Sequence, residues 1–198
     1  MPEKFVSLTA VAAPYEPVNV DTDQIIPARF LKAPRSEGYG KFLFHDLAQV
    51  PGFVLNGAPY RDAKIFVGNT NFGCGSSREG AAFAFYDRGF RSIVAPSFSD
   101  IFHNNCVKNG IVPVRLPQAV CDRIRISLAE RPGTQLTVDL EEQRVVEPDG
   151  TAHEFAMDPF FRDMLLQGLD ELGLTLSLQS EIEAFERAYA EAAPWAAR

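Results

Sequence analysis

The sequence has few cysteines, and their spacing is wrong for cross-links or metal centres. It contains three in 198 residues, Cys74, Cys106 and Cys121. An odd number at wide spacing argues against a disulfide framework. No Cys-x-x-Cys pair occurs and the three histidines lack ligand spacing, so we do not expect the chain itself to hold zinc or an iron–sulfur cluster. We expect Cys74 to be a small packed side chain, and a reactive thiol there stays open.

Long apolar runs and excess positive charge are missing as well. No stretch approaches the ~20 apolar residues of a membrane-spanning helix, and the opening Met-Pro-Glu-Lys-Phe lacks the pattern of a secretion signal. The net charge of −7 and pI near 5.0 argue against nucleic acid, which needs clustered lysine and arginine. We expect one compact cytoplasmic domain that binds neither membrane nor nucleic acid.

Two common glycine motifs are also absent. The chain has no G-x-x-x-x-G-K-[ST] phosphate loop, and the G-x-G at 73–75 lacks the third glycine of a dinucleotide fingerprint. What is present is the run Asn-Thr-Asn-Phe-Gly-Cys-Gly-Ser-Ser-Arg-Glu at 69–79, between a strand-like and a helix-like segment. Backbone amides at a helix N-terminus attract anions, and Arg78 can fork onto a carboxylate. The run predicts a small-anion site with hydroxyl groups beside it.

A second interpretation of this run stays open. Ser76 and Glu79 have the spacing of a capping box, in which both side chains only close the helix N-terminus. A glycine loop before a helix also occurs where no ligand binds. An anion site and a simple helix cap are therefore alternative interpretations of this run.

The order of predicted elements is that of an α/β fold with some parallel strand pairing. After an early strand, strands and helices alternate from residue 64, and an antiparallel meander and two helices follow. The predicted strands are 5–11, 64–68, 92–96, 111–116 and three within 134–156, and the predicted helices are 77–87, 99–108, 118–130, 158–172 and 179–192.

The irregular segment 28–62 and the last predicted helix each give a further expectation. Residues 28–62 are irregular apart from a short helical patch at 41–47, so we expect a binding loop that is mobile when the chain is alone. In the last helix, Ile182, Phe185 and Tyr189 share one face. We expect that face to pack on the core.

Several motifs carry a resemblance to a known family. The run 71–79, followed by Ile-Val-Ala-Pro-Ser-Phe-Ser-Asp-Ile-Phe at 93–102, closely resembles the small subunits of isopropylmalate dehydratases, the swivel domain of the aconitase superfamily as a separate chain. Further matches in the same order lie at 19–27, 109–114, 137–140 and 168–176. The resemblance covers almost the whole chain and implies a single three-layer β/β/α swivel domain, residues 1–198.

The resemblance also implies a partner and a reaction. In this family a separate large subunit holds a [4Fe–4S] cluster, and the two chains isomerise a hydroxy-dicarboxylate of leucine biosynthesis by dehydration and rehydration. Ser76 would be the base, as an alkoxide, with Ser77 beside it. Arg78 would bind a substrate carboxylate, and Gly75 would lie against the substrate.

The early loop supplies further implied contacts. Thr22 and Asp23 align with active-site positions of the superfamily. Ile26 stands where aconitase-like chains carry serine, and an apolar residue there suits an alkyl substituent better than a third carboxylate, as in a homoaconitase substrate. Arg29 and Lys32 lie where substrate-choosing contacts are expected, and they either bind a carboxylate or are solvated charges.

The family pattern breaks just after the glycine loop. The family normally reads Ser-Arg-Glu-His-Ala-Pro-Trp-Ala-Leu, whereas residues 77–85 read Ser-Arg-Glu-Gly-Ala-Ala-Phe-Ala-Phe. Gly80 thus replaces a histidine, and glycine in a helix costs about 1 kcal/mol relative to alanine. The change indicates either a paralogue for another alkyl-substituted malate, such as citramalate or 2,3-dimethylmalate, or neutral drift. A noncatalytic module that binds a dicarboxylate or regulates a partner is a third hypothesis.

Overall fold

The computed structural model describes residues 2–76 and 78–196. The strands are β1 (Ser7–Pro14), β2 (Ile65–Val67), β3 (Ser92–Ala95), β4 (Val112–Arg115), β5 (Gln135–Asp139), β6 (Arg144–Val146) and β7 (Ala152–Glu154). The helices are α1 (Thr22–Ile25), α2 (Glu79–Arg88), α3 (Asp100–Lys108), α4 (Gln118–Glu130), α5 (Pro159–Gln167), α6 (Glu171–Ser177) and α7 (Gln179–Ala192). The strands form one mixed sheet in the order β4-β3-β2-β1-β5-β6-β7.

One half of the sheet is parallel and the other half is antiparallel. β1 pairs with β2, β2 with β3 and β3 with β4 in parallel, whereas β5, β6 and β7 add to the other edge of β1 as an antiparallel meander. Because parallel strands end at the same edge of a sheet, the loops after β1 and β2 leave it side by side. The predicted α/β class and the meander are confirmed.

Two apolar cores lie on opposite faces of the parallel strands. Phe66 of β2 packs with residues of α2 and α3 in one core, and its neighbours Ile65 and Val67 pack with α4 in the other. Side chains alternate across a strand, so a strand that is covered on both faces must be apolar at every position. This explains why β2 has no polar residue.

Residues 28–62 contain short 3-10 turns and no α-helix. The predicted helical patch at 41–47 is not a continuous helix, since 3-10 turns lie at its two ends and residues 43–46 between them are single turns. The segment is nevertheless packed onto the molecule, because Tyr39, Leu43 and Phe44 are buried in the core that contains α2. Mobility of this segment in the isolated chain stays a prediction.

Most helix boundaries agree with the sequence, with two differences. α2 begins at Glu79, two residues later than predicted, and ends before Gly89 as predicted. The single helix predicted at 158–172 is two helices. α5 ends before Gly168, and Asp170 caps the start of α6 by accepting a hydrogen bond from the Gly173 amide at 2.7 Å.

The prediction that α7 packs on the core through its apolar face is wrong. Ile182, Phe185 and Tyr189 do share a face, and the last two rings stack at 5.8 Å, but their exposed fractions are 39%, 67% and 50%. No residue of α7 is buried. The helical spacing of apolar residues shows that a helix has an apolar face, but it does not show what that face packs against. Within the described residues, no helix is long and apolar enough to span a bilayer.

Candidate active site

Two loops meet at the carboxyl ends of β1 and β2. The amides of Gly73 and Cys74 donate to the Val20 carbonyl at 2.8 and 3.1 Å, and the Thr22 amide donates to the Cys74 carbonyl at 3.1 Å. Asp21 and Cys74 thereby form an isolated parallel bridge. The early loop and the glycine loop are therefore one bonded unit, which places Thr22 and Asp23 next to the predicted anion site.

The glycines of this loop are required by its geometry. Gly73 has a φ of +73°, and a Cβ there would lie 2.2 Å from Cγ of Phe102 in α3. The Ser99 hydroxyl, at the N-terminus of α3, donates to the Gly73 carbonyl at 2.6 Å. Gly75 has a φ of +82°, which favours glycine, and it is exposed. The loop is thus pressed onto α3 at Gly73 and turned outward at Gly75.

Among the described residues, no side chain caps the first turn of α2. Arg78 occupies the N-cap position in an extended conformation and makes no side-chain cap hydrogen bond. The capping-box hypothesis is therefore wrong. Ser76 lies two residues before the cap, and the Glu79 carboxylate instead accepts a hydrogen bond from the Asn109 amide group at 3.1 Å. The hydroxyl of Ser76 is left for another role.

The groups expected to meet the substrate lie on an open surface. Gly75, Ser76 and Arg78 are all exposed, at the end of α2 where the helix dipole is positive. Ser77, the second predicted hydroxyl, lies outside the described residues. Gly75, Ser76 and Arg78 form a surface that we call the rim. The rim can bind an anion, but the described part of the chain does not enclose one there.

Thr22 and Asp23 take part in the structure of the early loop. Thr22 is only 2% exposed, and its amide makes the bond to Cys74 given above. The Asp23 carboxylate is exposed and accepts a hydrogen bond from the Ala28 amide at 2.7 Å, while Asp21 caps α1 through the Gln24 amide at 2.7 Å. Of the two predicted contacts, Asp23 is the one that a ligand can reach.

Two other predicted contacts differ in the structure. Ile26 is fully buried in the core, so its side chain has no surface to offer an alkyl substituent. Arg29 forms a two-pronged ion pair with Asp46, one arm of which measures 3.0 Å. The hydrogen bond from Arg29 lowers the pKa of Asp46 to about 2. Arg29 is thus already engaged, and Lys32 is exposed.

Sequence reasoning missed a polar network behind the glycine loop. Arg125 of α4, only 2% exposed, donates to the Gly68 carbonyl at 2.8 Å and to the Glu16 carboxylate at 3.2 Å. Asn69 donates to the Glu16 carbonyl at 2.7 Å and accepts from Gln118 at 2.9 Å. The network ties the loops after β1 and β2 to α4. An arginine in an amphipathic helix gives no sequence signal of burial.

The cysteines do not converge on one point. Cys74 is half-buried in the glycine loop, and Cys106 and Cys121 are fully buried in opposite cores. Burial raises the pKa of all three thiols, that of Cys121 to about 11. An iron–sulfur cluster needs several thiolates around one position, so these cysteines do not fit as its ligands.

Family models match three parts of the chain. Residues 2–119 match the aconitase C-terminal domain, residues 127–159 match a model described as LeuD_N, and residues 172–198 match the C-terminal domain of 3-isopropylmalate dehydratase small subunits. The first match covers more than half of the chain and includes both loops of the candidate site.

Individual relatives agree with these matches. Proteins named 3-isopropylmalate dehydratase small subunit from Gluconacetobacter diazotrophicus and Granulibacter bethesdensis are each 50% identical to this chain; the alignments cover 99% and 98% of it, and 98% and 95% of the relatives. A crystal structure of 3-isopropylmalate dehydratase (leuD) from Methanocaldococcus jannaschii superposes with a TM-score of 0.67 at 22% identity, covering 91% of this chain and 99% of that one. The last comparison supports the fold alone.

Proposed function

The chain belongs to the family of 3-isopropylmalate dehydratase small subunits, and we propose that it forms half of the active site of this hydro-lyase in leucine biosynthesis. The other half would be a large subunit. Together they would interconvert 2-isopropylmalate and 3-isopropylmalate by removing and re-adding water. The observation that carries the proposal is the N-terminus of α2, which lies exposed beside Ser76 and has no side-chain cap among the described residues.

Recognition of the substrate would begin with its carboxylates. The free amides at the start of α2, the dipole of that helix and the Arg78 guanidinium all favour negative charge at one place. The chain as a whole is acidic, with a net charge of −7. A dicarboxylate would therefore be held at this rim and not spread over the surface.

Ser76 would remove the proton next to a carboxylate. A serine hydroxyl is a poor base in water, so its alkoxide needs preorganised donors in a site without solvent. The amides at the start of α2 would be such donors, and Ser76 makes no capping hydrogen bond among the described residues. Its exposure in the single chain means that water must be excluded by something that docks over the rim.

A partner chain would supply both the cover and the metal. We propose that it carries the [4Fe–4S] cluster, because the cysteines of this chain are too far separated between the two cores to hold one. The cluster would provide the Lewis acid for the departing hydroxyl. This chain would contribute Arg78 for binding, Ser76 for the proton and the framework that positions both.

The test uses the reconstituted pair of subunits. We expect Ser76→Ala to lower kcat for isopropylmalate by about 10²–10⁴-fold, the contribution of general base catalysis, with little change in KM. Arg78→Lys should mainly raise KM, because lysine keeps the charge and loses the fork. Ser7→Ala, at the opposite end of β1 from the site, is the matched control and should leave both parameters unchanged.

Two outcomes would contradict the proposal. One is turnover of isopropylmalate by the purified chain without a partner. The other is full activity of the pair after alanine replaces both Ser76 and Ser77. Copurification distinguishes the noncatalytic alternative, since a binding module would take up a dicarboxylate alone, whereas an enzyme half should bring with it a chain that contains iron and sulfide.

A further inference from the structure

Two asparagines of the candidate site have a backbone conformation that most residues avoid. Asn19 in the early loop has a φ of +55°, and Asn71 in the glycine loop has a φ of +58°. This left-handed conformation is unfavourable for residues with a Cβ, although asparagine adopts it more readily than most. Glycine would fit both positions without strain, so the contacts of the two asparagine side chains need an explanation of their own.

The two side chains are bonded to each other across the two loops. Nδ2 of Asn71 donates a hydrogen bond to Oδ1 of Asn19 at 2.9 Å, and the backbone amide of Asn19 donates to the Thr70 carbonyl at 2.9 Å. These bonds lie just ahead of those that join the Val20 carbonyl to the glycine loop. Asn19 and Asn71, which we call the asparagine pair, therefore link the early loop and the glycine loop a second time.

The opposite side of the glycine loop is attached to the segment before α3. The Asn71 amide donates to the Ser97 hydroxyl at 2.8 Å, and the Phe72 amide donates to the Ser97 carbonyl at 2.9 Å. Residues 71 and 72 are thus held between two elements. Because the bond within the asparagine pair is made by side chains alone, a substitution can remove it and leave the backbone pairing of the loops in place.

Ser76 and Arg78 are held in place by different parts of the structure. Arg78 is the N-cap residue of α2, and this helix is anchored by Ala81 and Ala82, which are fully buried. Ser76 is exposed and belongs to the loop before the helix. A shift of the glycine loop would therefore move Ser76 relative to Arg78, and the bonds of residues 71–74 oppose such a shift.

We propose that Asn19 and Asn71 are positioning residues that fix the glycine loop so that Ser76 is aligned with a substrate bound at Arg78, an inference that rests on the function proposed above. The asparagine pair acts through the loop and not by contact with the substrate. Misplacement of a reacting group by about 1 Å costs about 100-fold in rate, so loss of the pair lowers kcat. Carboxylate binding at Arg78 is carried by the helix, so KM changes little.

The first measurement needs only the isolated chain, because Cys74 reports the position of the glycine loop. Its amide is bonded to the Val20 carbonyl and its side chain is half-buried. Asn71→Gly keeps the left-handed backbone and removes the side-chain bond. We expect it to raise the rate at which iodoacetamide labels Cys74 by about 5-fold, the effect of one lost hydrogen bond on local opening. The two buried cysteines should stay unlabelled, which shows that the chain remains folded.

Two further variants are the controls for this measurement. Asn19→Asp keeps an acceptor for the Asn71 amide group, so it should label at the rate of the parent. Gln143 has a φ of +49° in the turn before β6, and its side chain accepts a hydrogen bond from the Met157 amide at 3.0 Å. Gln143→Gly therefore makes the same kind of change far from the loop and should leave the labelling of Cys74 unchanged. An unchanged rate in Asn71→Gly would overturn the proposal.

The second measurement uses the reconstituted pair of subunits with isopropylmalate. We expect Asn19→Gly and Asn71→Gly each to lower kcat by about 10-fold or more and to change KM by less than about 2-fold. The double variant should lose no more than either single variant, because all three lack the same bond. Faster labelling of Cys74 with an unchanged kcat would overturn the positioning role. Absence of all turnover in the parent pair would instead contradict the proposed function and leave the labelling result intact.

Discussion

Replacement of the buried Arg125 should separate the energy of its hydrogen bonds from that of its packing. Arg125 donates to the buried Gly68 carbonyl, and its two carboxylate partners, Glu16 and Asp122, remain 66% and 44% exposed. Arg125→Met keeps most of the stem and removes the donors. Arg125→Ala removes the stem as well.

The expected magnitudes follow from these contacts. A hydrogen bond to a charged donor contributes about 1.5–3 kcal/mol, and half-exposed ion pairs add about 1 kcal/mol or less each. We therefore expect Arg125→Met to lower the free energy of unfolding by about 2–3 kcal/mol. Arg125→Ala should cost about 2 kcal/mol more, because the buried methylenes of the stem beyond Cβ, at about 0.8 kcal/mol each, are removed as well.

Urea unfolding of the isolated chain measures both values, provided that the slope with denaturant is unchanged. Arg123→Met on the same helix is the matched control. Its side chain is 55% exposed and pairs with Glu147 at 3.1 Å, so we expect a loss below about 1 kcal/mol. If Arg125→Met is as stable as the parent, the hydrogen bond to Gly68 only offsets the desolvation of the guanidinium, and the reasoning is refuted.

Three further predictions concern the thiols and the C-terminal helix. Iodoacetamide should label Cys74 alone in the native chain. The rate should rise with pH as the reactive thiolate forms, and at higher pH than for a free cysteine, because burial raises the pKa of this thiol. Mass spectrometry should find all three cysteines labelled in urea, and labelling of Cys106 or Cys121 in the native chain would contradict their burial. Above pH 9 the unfolded chain loses thiol protons that buried Cys106 and Cys121 keep in the folded chain. The free energy of unfolding should therefore fall between pH 9 and about 11, by up to about 3 kcal/mol per pH unit for the two thiols together. Cys121→Ser should halve this slope. A chain that ends at Ser177 should unfold within about 1 kcal/mol of the parent, since no residue of α7 is buried, and a loss above about 2 kcal/mol would show that α7 is part of the core.

The regular half of the fold could be predicted because its sequence signals are local. β2 is a short apolar run before glycines, α4 has boundaries that match the prediction, and the turn after β6 carries Asp149 and Gly150. Each signal comes from backbone geometry that a few neighbouring residues determine. The same is true of the glycine loop, whose composition predicted both the turn and the helix after it.

Other features depend on partners that are distant in sequence. The 3-10 turns of 28–62 have no period, and their positions follow from contacts such as Arg35 with Asp87. Ile26 gives the same apolar signal whether it lines a pocket or fills the core, and the structure shows the core. α2 begins at Glu79 and not at residue 77 as predicted, because Ser76, which has the spacing of a cap, does not act as one.

Among the described residues, the helices differ in how their N-termini are closed. α1, α3, α5 and α6 are each capped by the side chain at their N-cap position, which is Asp21, Ser99, Asp158 and Asp170 respectively. α2, α4 and α7 have no side-chain cap at theirs, but the N-cap residues of α4 and α7, Pro117 and Leu178, have no side-chain acceptor. A cap contributes about 0.5–2 kcal/mol, so α2 does without a stabilisation that a serine two residues away has the chemistry to provide. The helix instead presents its first amides and Arg78 to the surface. A carboxylate bound there would accept the hydrogen bonds that a capping side chain accepts elsewhere in this chain, and Ser76 would then be available for the proposed role as base.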